Sequence, residues 1–177
     1  MFQRWRHRKD LRLFEMGLGT NNPGLPSSMG PRGVPGASLR GWSEYFPFAE
    51  IVGADIDRDI LFDDADARIK TYWCDQTDES ALEAMWKKDD GMFDIIVDDG
   101  LHTFRANKTM LLASFHRLKP GGVYVVEDLN GACDLAFAKC ADLWENLRGM
   151  GMVASRIVRL EHPCNNVDNI LLVAIKQ

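Results

Sequence analysis

The chain is predicted to be an α/β protein with a doubly wound, mostly parallel sheet that closes on an antiparallel terminal hairpin. Two observations predict this. Short apolar runs alternate with amphipathic segments along most of its length, as strands and crossover helices do. The last two apolar runs are joined by a link too short for a crossover helix, which needs about ten residues or more, so they must pair antiparallel.

Strand-like runs are expected at Leu11–Met16, Ile51–Ile56, Ile69–Cys74, Phe93–Val97 and Val123–Val126. Ile95-Ile96-Val97 and Val123-Tyr124-Val125-Val126 are unbroken apolar strings, the pattern of strands buried on both faces. Between them, Ser80–Lys88 carries Leu82, Met85 and Trp86 at helical spacing. Ala106–Leu118 carries Met110, Leu111, Phe115 and Leu118, and meets the breaker cluster Lys119-Pro120-Gly121-Gly122. Ala132–Arg148 reads as one long helix. Met152–Arg159 and Asn169–Ile175 read as the hairpin strands, joined by Glu161–Asp168. Such a Rossmann-like sheet places ligands outside the carboxyl ends of its strands.

At 177 residues the chain suits a single domain, 1–177. It is 46% apolar and 27% charged, within the globular range. A net charge of −5 offers no global attraction to nucleic acid or anionic lipid. The local exception is Arg4, Arg6, His7, Arg8 and Lys9, read as a solvated basic tail over residues 1–10, with a docking patch as the alternative. Cys74, Cys133, Cys140 and Cys164 form no CxxC pair, which argues against structural zinc and for a reducing, cytoplasmic compartment. No apolar run is long enough to span a membrane, and the N-terminus lacks a signal-peptide core.

The carboxyl ends of the strands carry the chemistry. After the first strand comes Glu15-Met16-Gly17-Leu18-Gly19-Thr20. Glycines there let the backbone approach a ligand, but Asn22 stands where a GxGxxG fingerprint has its third glycine. The second strand ends in Gly53-Ala54-Asp55-Ile56-Asp57, where an acid can accept hydrogen bonds from ribose hydroxyls. The third ends in Cys74-Asp75-Gln76, where an acid and an amide can hold an adenine amine. Any one acid is equally a cap or turn residue. Three in succession on one sheet edge point to an adenosine ligand. NAD remains open on these features, but Glu15, just ahead of the first glycine, suits the cationic amino group of S-adenosylmethionine better than a pyrophosphate. Residues 17–41 form a Gly/Pro-rich loop, read either as a disordered insertion or as a lid that orders over the ligand.

The fourth strand ends in Asp98-Asp99-Gly100-Leu101-His102 and the fifth in Glu127-Asp128-Leu129-Asn130. Neighbouring strands lie roughly 4.8 Å apart, so these acids converge. Crowded carboxylates raise one another's pKa, and a divalent cation relieves that; all-oxygen ligands favour Mg²⁺, Mn²⁺ or Ca²⁺. The alternative is that the acids cap the following helices. His102, three residues after Asp99, is placed to accept a proton from a reacting hydroxyl. His7, His116 and His162 have no such setting.

GLGT at 17–20, GASLRGW at 36–42, GADID at 53–57, CDQTD at 74–78, DDGLH at 98–102 and KPGGVYVVEDL at 119–129 occur together. Their order and spacing resemble the metal-dependent sugar O-methyltransferases of macrolide biosynthesis, over roughly residues 11–130. These are class I S-adenosylmethionine-dependent methyltransferases, whose sheet has the strand order expected here. The resemblance implies that Asp99, Glu127 and Asp128 bind Mg²⁺ (or Mn²⁺) and that His102 is the general base, with Asp99 beside it. The donor site is expected at Glu15, Gly17, Gly19, Thr20, Ser38, Asp55, Asp57, Asp75, Gln76 and Asp98. Leu101 departs from the serine common in that family. Family members carry a large N-terminal auxiliary region, so acceptor identity and any homo-oligomer do not transfer.

The expected activity is methyl transfer to a hydroxyl of a small molecule, such as a sugar or natural product. A catechol-type methyltransferase, a cofactor-binding module without catalysis and a nucleotide-dependent oxidoreductase are the alternatives. The NPPY-type motif of amino-directed DNA methyltransferases is missing, and Pro163-Cys164 lies too late for a cytosine C5 enzyme.

Overall fold

The computed structural model describes residues 2–161 and 167–177. His162, Pro163 and Cys164 lie outside the described residues, as does most of the expected Glu161–Asp168 link. The described strands are β1 (Arg12–Met16), β2 (Glu50–Asp55), β3 (Ile69–Trp73), β4 (Phe93–Asp98), β5 (Leu118–Leu129), β6 (Met152–Arg159) and β7 (Ile170–Lys176). They form one sheet in the order β3-β2-β1-β4-β5-β7-β6. The first five pair in parallel, while β7 runs antiparallel to both β5 and β6. The doubly wound sheet with its antiparallel hairpin is therefore as the sequence predicts. Strand order reverses between β1 and β4, which opens a crevice at their carboxyl ends.

Apolar strings become central strands because both faces are covered. In β4 every residue is buried. One core, with Phe14, Ile96, Tyr124 and Leu172, lies beneath α2 (Glu79–Lys88), α3 (Phe104–Ser114), α4 (Gly131–Lys139) and α5 (Ala141–Gly149). The other, with Leu13, Ile51, Val97 and Val123, lies beneath α1 (Ala37–Tyr45) and the N-terminal residues. Asp78 caps α2, accepting from the Ser80 N–H at 2.8 Å, and Lys87 and Lys88 meet the negative end of that helix.

Five expectations are corrected. The basic tail is anchored: Trp5 is buried, and Phe2 packs edge-on against Trp42 and Phe46 while the cations stay at the surface. The Gly/Pro-rich loop ends at Gly36, because α1 takes up residues 37–41. Helix α3 stops at Ser114, and Phe115–Arg117 tighten into a 3₁₀ turn before β5. The breaker cluster lies inside β5 as a bulge, since Phe93 pairs with Leu118 but Ile95 with Val123. Lastly, the long C-terminal helix is two helices, broken at Cys140 (φ −89°, ψ 75°). The Trp144 indole, at 2.8 Å, donates to the Phe137 carbonyl near that break.

Candidate active site

A cleft of about 290 Å³ opens at the carboxyl ends of the parallel strands. Its wall includes Gly17, Gly19, Thr20, Asp55, Asp75, Gln76, Asp99, His102 and Asp128, all singled out in the sequence. Glu15, Ser38, Asp57, Asp98 and Glu127 stand behind that wall.

The floor is the turn after β1. The Gly17 N–H donates to the Ala54 carbonyl at 2.8 Å, and the Asp55 carboxylate accepts from the Leu18 N–H at 2.7 Å and the Asp57 N–H at 2.8 Å. Gly17 has φ +95°, and a Cβ there would lie 2.1 Å from the Asp99 carbonyl oxygen, so no other residue fits. Asp55 thus shapes the glycine turn and also faces the cleft. Asp57 takes the Thr20 hydroxyl and caps the 3₁₀ turn Arg58–Ile60, accepting from the Asp59 N–H at 3.1 Å.

The loop before α1 folds back over this floor. The Met29 N–H donates to the Thr20 carbonyl at 2.9 Å, and the Asn21 amide donates to the Gly33 carbonyl at 2.9 Å. Pro26, Ser27 and Met29 join the cleft wall, along with Cys74, Thr77 and Leu101. None of these was assigned to the site beforehand. Cys74 and Thr77 stood inside the CDQTD motif and Leu101 inside DDGLH, whereas Pro26, Ser27 and Met29 were covered only by the lid reading of the loop as a whole.

Asp98 is fully buried, accepting from the Gln76 amide at 2.5 Å and from the Asn107 amide at 3.1 Å. Burial pushes its carboxyl up to about 6. The Gln76 oxygen accepts from the Leu101 N–H at 2.8 Å. Both ends of Gln76 are therefore committed to holding the loop after β4. Asp75 accepts from the Thr77 N–H and hydroxyl at 2.8 and 2.7 Å.

Asp99, His102 and Asp128 meet at the cleft rim, each offering one atom within 4.8 Å of the others'. These acids are not the helix caps: Thr103 caps α3 and Asn130 caps α4. His102 Nε2 lies 3.9 Å from an Asp99 oxygen, and its Nδ1 is buried with no partner. His102 and Asp128 both adopt left-handed backbone conformations, φ +56° and +51°, which non-glycine residues hold at a cost of about 1–3 kcal/mol each. The Cys133 thiol on α4 donates to the His102 carbonyl at 3.6 Å.

Negative charge accumulates around this point. Burial, reinforced by Glu127, Glu15, Asp128 and Asp98, pushes Asp99 up to about 8. Burial and Asp128 raise Glu127, while burial raises Asp128 against the pull of His102. Glu15 is pushed up to about 7, by burial first and against hydrogen bonds from Ser38 and Trp42. A divalent cation fits this donor set: it would satisfy the unpartnered imidazole or the crowded carboxylates and remove their repulsion. Glu127 stands outside the three-residue cluster and acts on Asp99 through its charge.

No protein-family model matches the chain. It is 36% identical over 128 residues to mycinamicin VI 2''-O-methyltransferase of Micromonospora griseorubida, a match covering 72% of this chain and 31% of that protein. With demethylmacrocin O-methyltransferase of Streptomyces fradiae it shares 35% over 128 residues, covering 72% and 32%. The chain therefore spans about a third of the length of these curated relatives. The MycE methyltransferase from the mycinamycin biosynthetic pathway, solved in complex with Mg and SAH, superposes with a TM-score of 0.69 at 26% identity, covering 99% of this chain and 47% of that one. The O-methyltransferase from Bacillus cereus in complex with SAH, at 12% identity and TM-score 0.59, shares the fold.

Proposed function

We propose that this chain, a homologue of the macrolide sugar O-methyltransferases with the class I methyltransferase fold, transfers a methyl group from S-adenosylmethionine to a hydroxyl of a small molecule. The observation that carries this reading is the convergence of Asp99, His102 and Asp128 on the rim of a cleft floored by Gly17 and walled by Asp55. Relatives acting on sugars attached to macrolides favour a sugar or natural-product acceptor.

In this reading Asp55 accepts from the donor ribose, and Asp75 and Gln76 border the adenine. Glu15 supplies negative charge beneath the donor's ammonium group. Asp99 and Asp128 would hold a divalent cation, with Glu127 adding charge from behind. The cation, when bound, would lower the pKa of an acceptor hydroxyl. His102 takes the hydroxyl proton on a ring nitrogen as the oxygen attacks the methyl carbon. The carbon–sulfur bond breaks, and the sulfur leaves as a neutral thioether. Much of the rate comes from holding acceptor and donor in line, because the sulfonium is already activated.

The cluster also favours a second reading, in which His102 is a third metal ligand rather than the base. The two part in the response of a His102 variant to metal. The free thiols of Cys74, Cys133 and Cys140 support a cytoplasmic setting, and no described helix is long and apolar enough to cross a membrane. The test is transfer of labelled methyl from S-adenosylmethionine to glycosylated acceptors, with a catechol alongside. A catechol accepted in preference to sugars would reassign the acceptor class.

A further inference from the structure

Glu15 is 2% exposed, and no described basic side chain pairs with it. Both its carboxylate oxygens are nonetheless occupied. One accepts from the Ser38 hydroxyl, the other from the Trp42 indole N–H at 2.5 Å. Ser38 and Trp42 are four residues apart on α1, so one face of a single helix presents both donors. The Trp42 ring is itself held, stacked on Phe46 at 6.0 Å and met edge-on by Phe2 at 5.9 Å.

Two neutral donors orient a buried carboxylate but do not neutralise it. Burial without a counter-ion is costly for an anion, so the arrangement is completed by a cation from outside. Met16 and Gly17, the next two residues of the chain, line the cleft. Neither Ser38 nor Trp42 lines the cleft, and Glu15 itself lies just behind its wall. We infer that Ser38 and Trp42 are positioning residues, which aim the Glu15 carboxylate at the ammonium group of the methyl donor. Phe2, through Trp42, ties the N-terminal segment to the same arrangement. This rests on the donor reading above.

Two ligands separate positioning from general structural support. S-adenosylhomocysteine carries the ammonium group; methylthioadenosine keeps the adenosine and thioether but lacks it. Calorimetry on the full chain would compare wild type with Ser38→Ala, Ser38→Thr and Trp42→Phe. Loss of a hydrogen bond to a charged group costs about tenfold or more in affinity. Ser38→Ala and Trp42→Phe should therefore bind S-adenosylhomocysteine about tenfold more weakly and leave methylthioadenosine unchanged. Ser38→Thr, which keeps the hydroxyl, should restore the wild-type value. Equal weakening of both ligands, or no weakening of either, overturns the inference. A wild type that binds neither ligand refutes the donor reading instead. Should Trp42→Phe fail to fold, the Ser38 pair decides alone.

Discussion

Asp98 and Asp99 are adjacent in the chain and do opposite things. Asp98 points into the protein and ties Gln76 to Asn107, whereas Asp99 lines the cleft beside His102. Asp98→Ala should therefore act on the fold. It strips a buried hydrogen-bond acceptor from two amides, at about 1–3 kcal/mol for each group left unsatisfied. Asp99→Asn should leave denaturant unfolding near wild type and remove activity. Urea melts and rates on the two variants check this, and equal stability loss in both would contradict the division.

The ligand-free protein should lose stability as pH rises. Glu15, Asp98 and Asp99 have folded-state pKa values of about 7, 6 and 8, all above ordinary carboxyl values. The folded state holds more protons than the unfolded one between those limits. Each group's contribution is fully present below the ordinary carboxyl range, near pH 4, and is lost as pH passes its folded value. Thermal melts without metal should fall from about pH 5 to about pH 8. Added Mg²⁺ should raise the melting temperature more at pH 8 than at pH 5.5, because ionised ligands bind it. A melting temperature that climbs with pH would contradict the assignment.

Asp55→Asn tests the ribose contact. The substitution removes the charge and keeps one oxygen, enough for the Leu18 N–H or the Asp57 N–H but not both. A charge-assisted contact is worth about 1.5–3 kcal/mol, so S-adenosylhomocysteine should bind about tenfold or more weakly by calorimetry. Unchanged affinity would remove Asp55 from the donor site.

Removing the base should slow chemistry without harming the fold. His102→Ala should keep its affinity for S-adenosylhomocysteine while kcat falls by about 10²–10⁴. Its melting temperature should stay near wild type, since alanine keeps a Cβ at the same left-handed position. Recovery of the rate at high Mg²⁺ would show instead that His102 is a metal ligand.

The sheet was legible because its central strands are buried on both faces and must be apolar throughout. Ile95-Ile96-Val97 admits little else. The acids at the strand ends stood out because they interrupt those strings. Their division of labour did not, because it depends on where each side chain ends up: Asp99 and Asp128 line the cleft, whereas Asp98 turns inward to Gln76 and Asn107. The break at Cys140 has no glycine or proline to mark it. The N-terminal residues looked solvated because Arg4, Arg6, Arg8 and Lys9 outnumber the aromatics, yet Phe2 and Trp5 fix the segment. Trp42 stood at the end of the GASLRGW motif with no role attached, and only its hydrogen bond to Glu15 shows one.

The measurement that bears most directly on the account is transfer of labelled methyl from S-adenosylmethionine to a pool of glycosylated hydroxyl acceptors, with Mg²⁺, after exhaustive chelation, and after Mg²⁺ is returned. The geometry of Asp99, His102 and Asp128 predicts transfer that stops on chelation and resumes when the cation is restored. Full transfer by the chelated protein would contradict the role given to these three residues, and no transfer under any of the three conditions would contradict the enzyme reading itself.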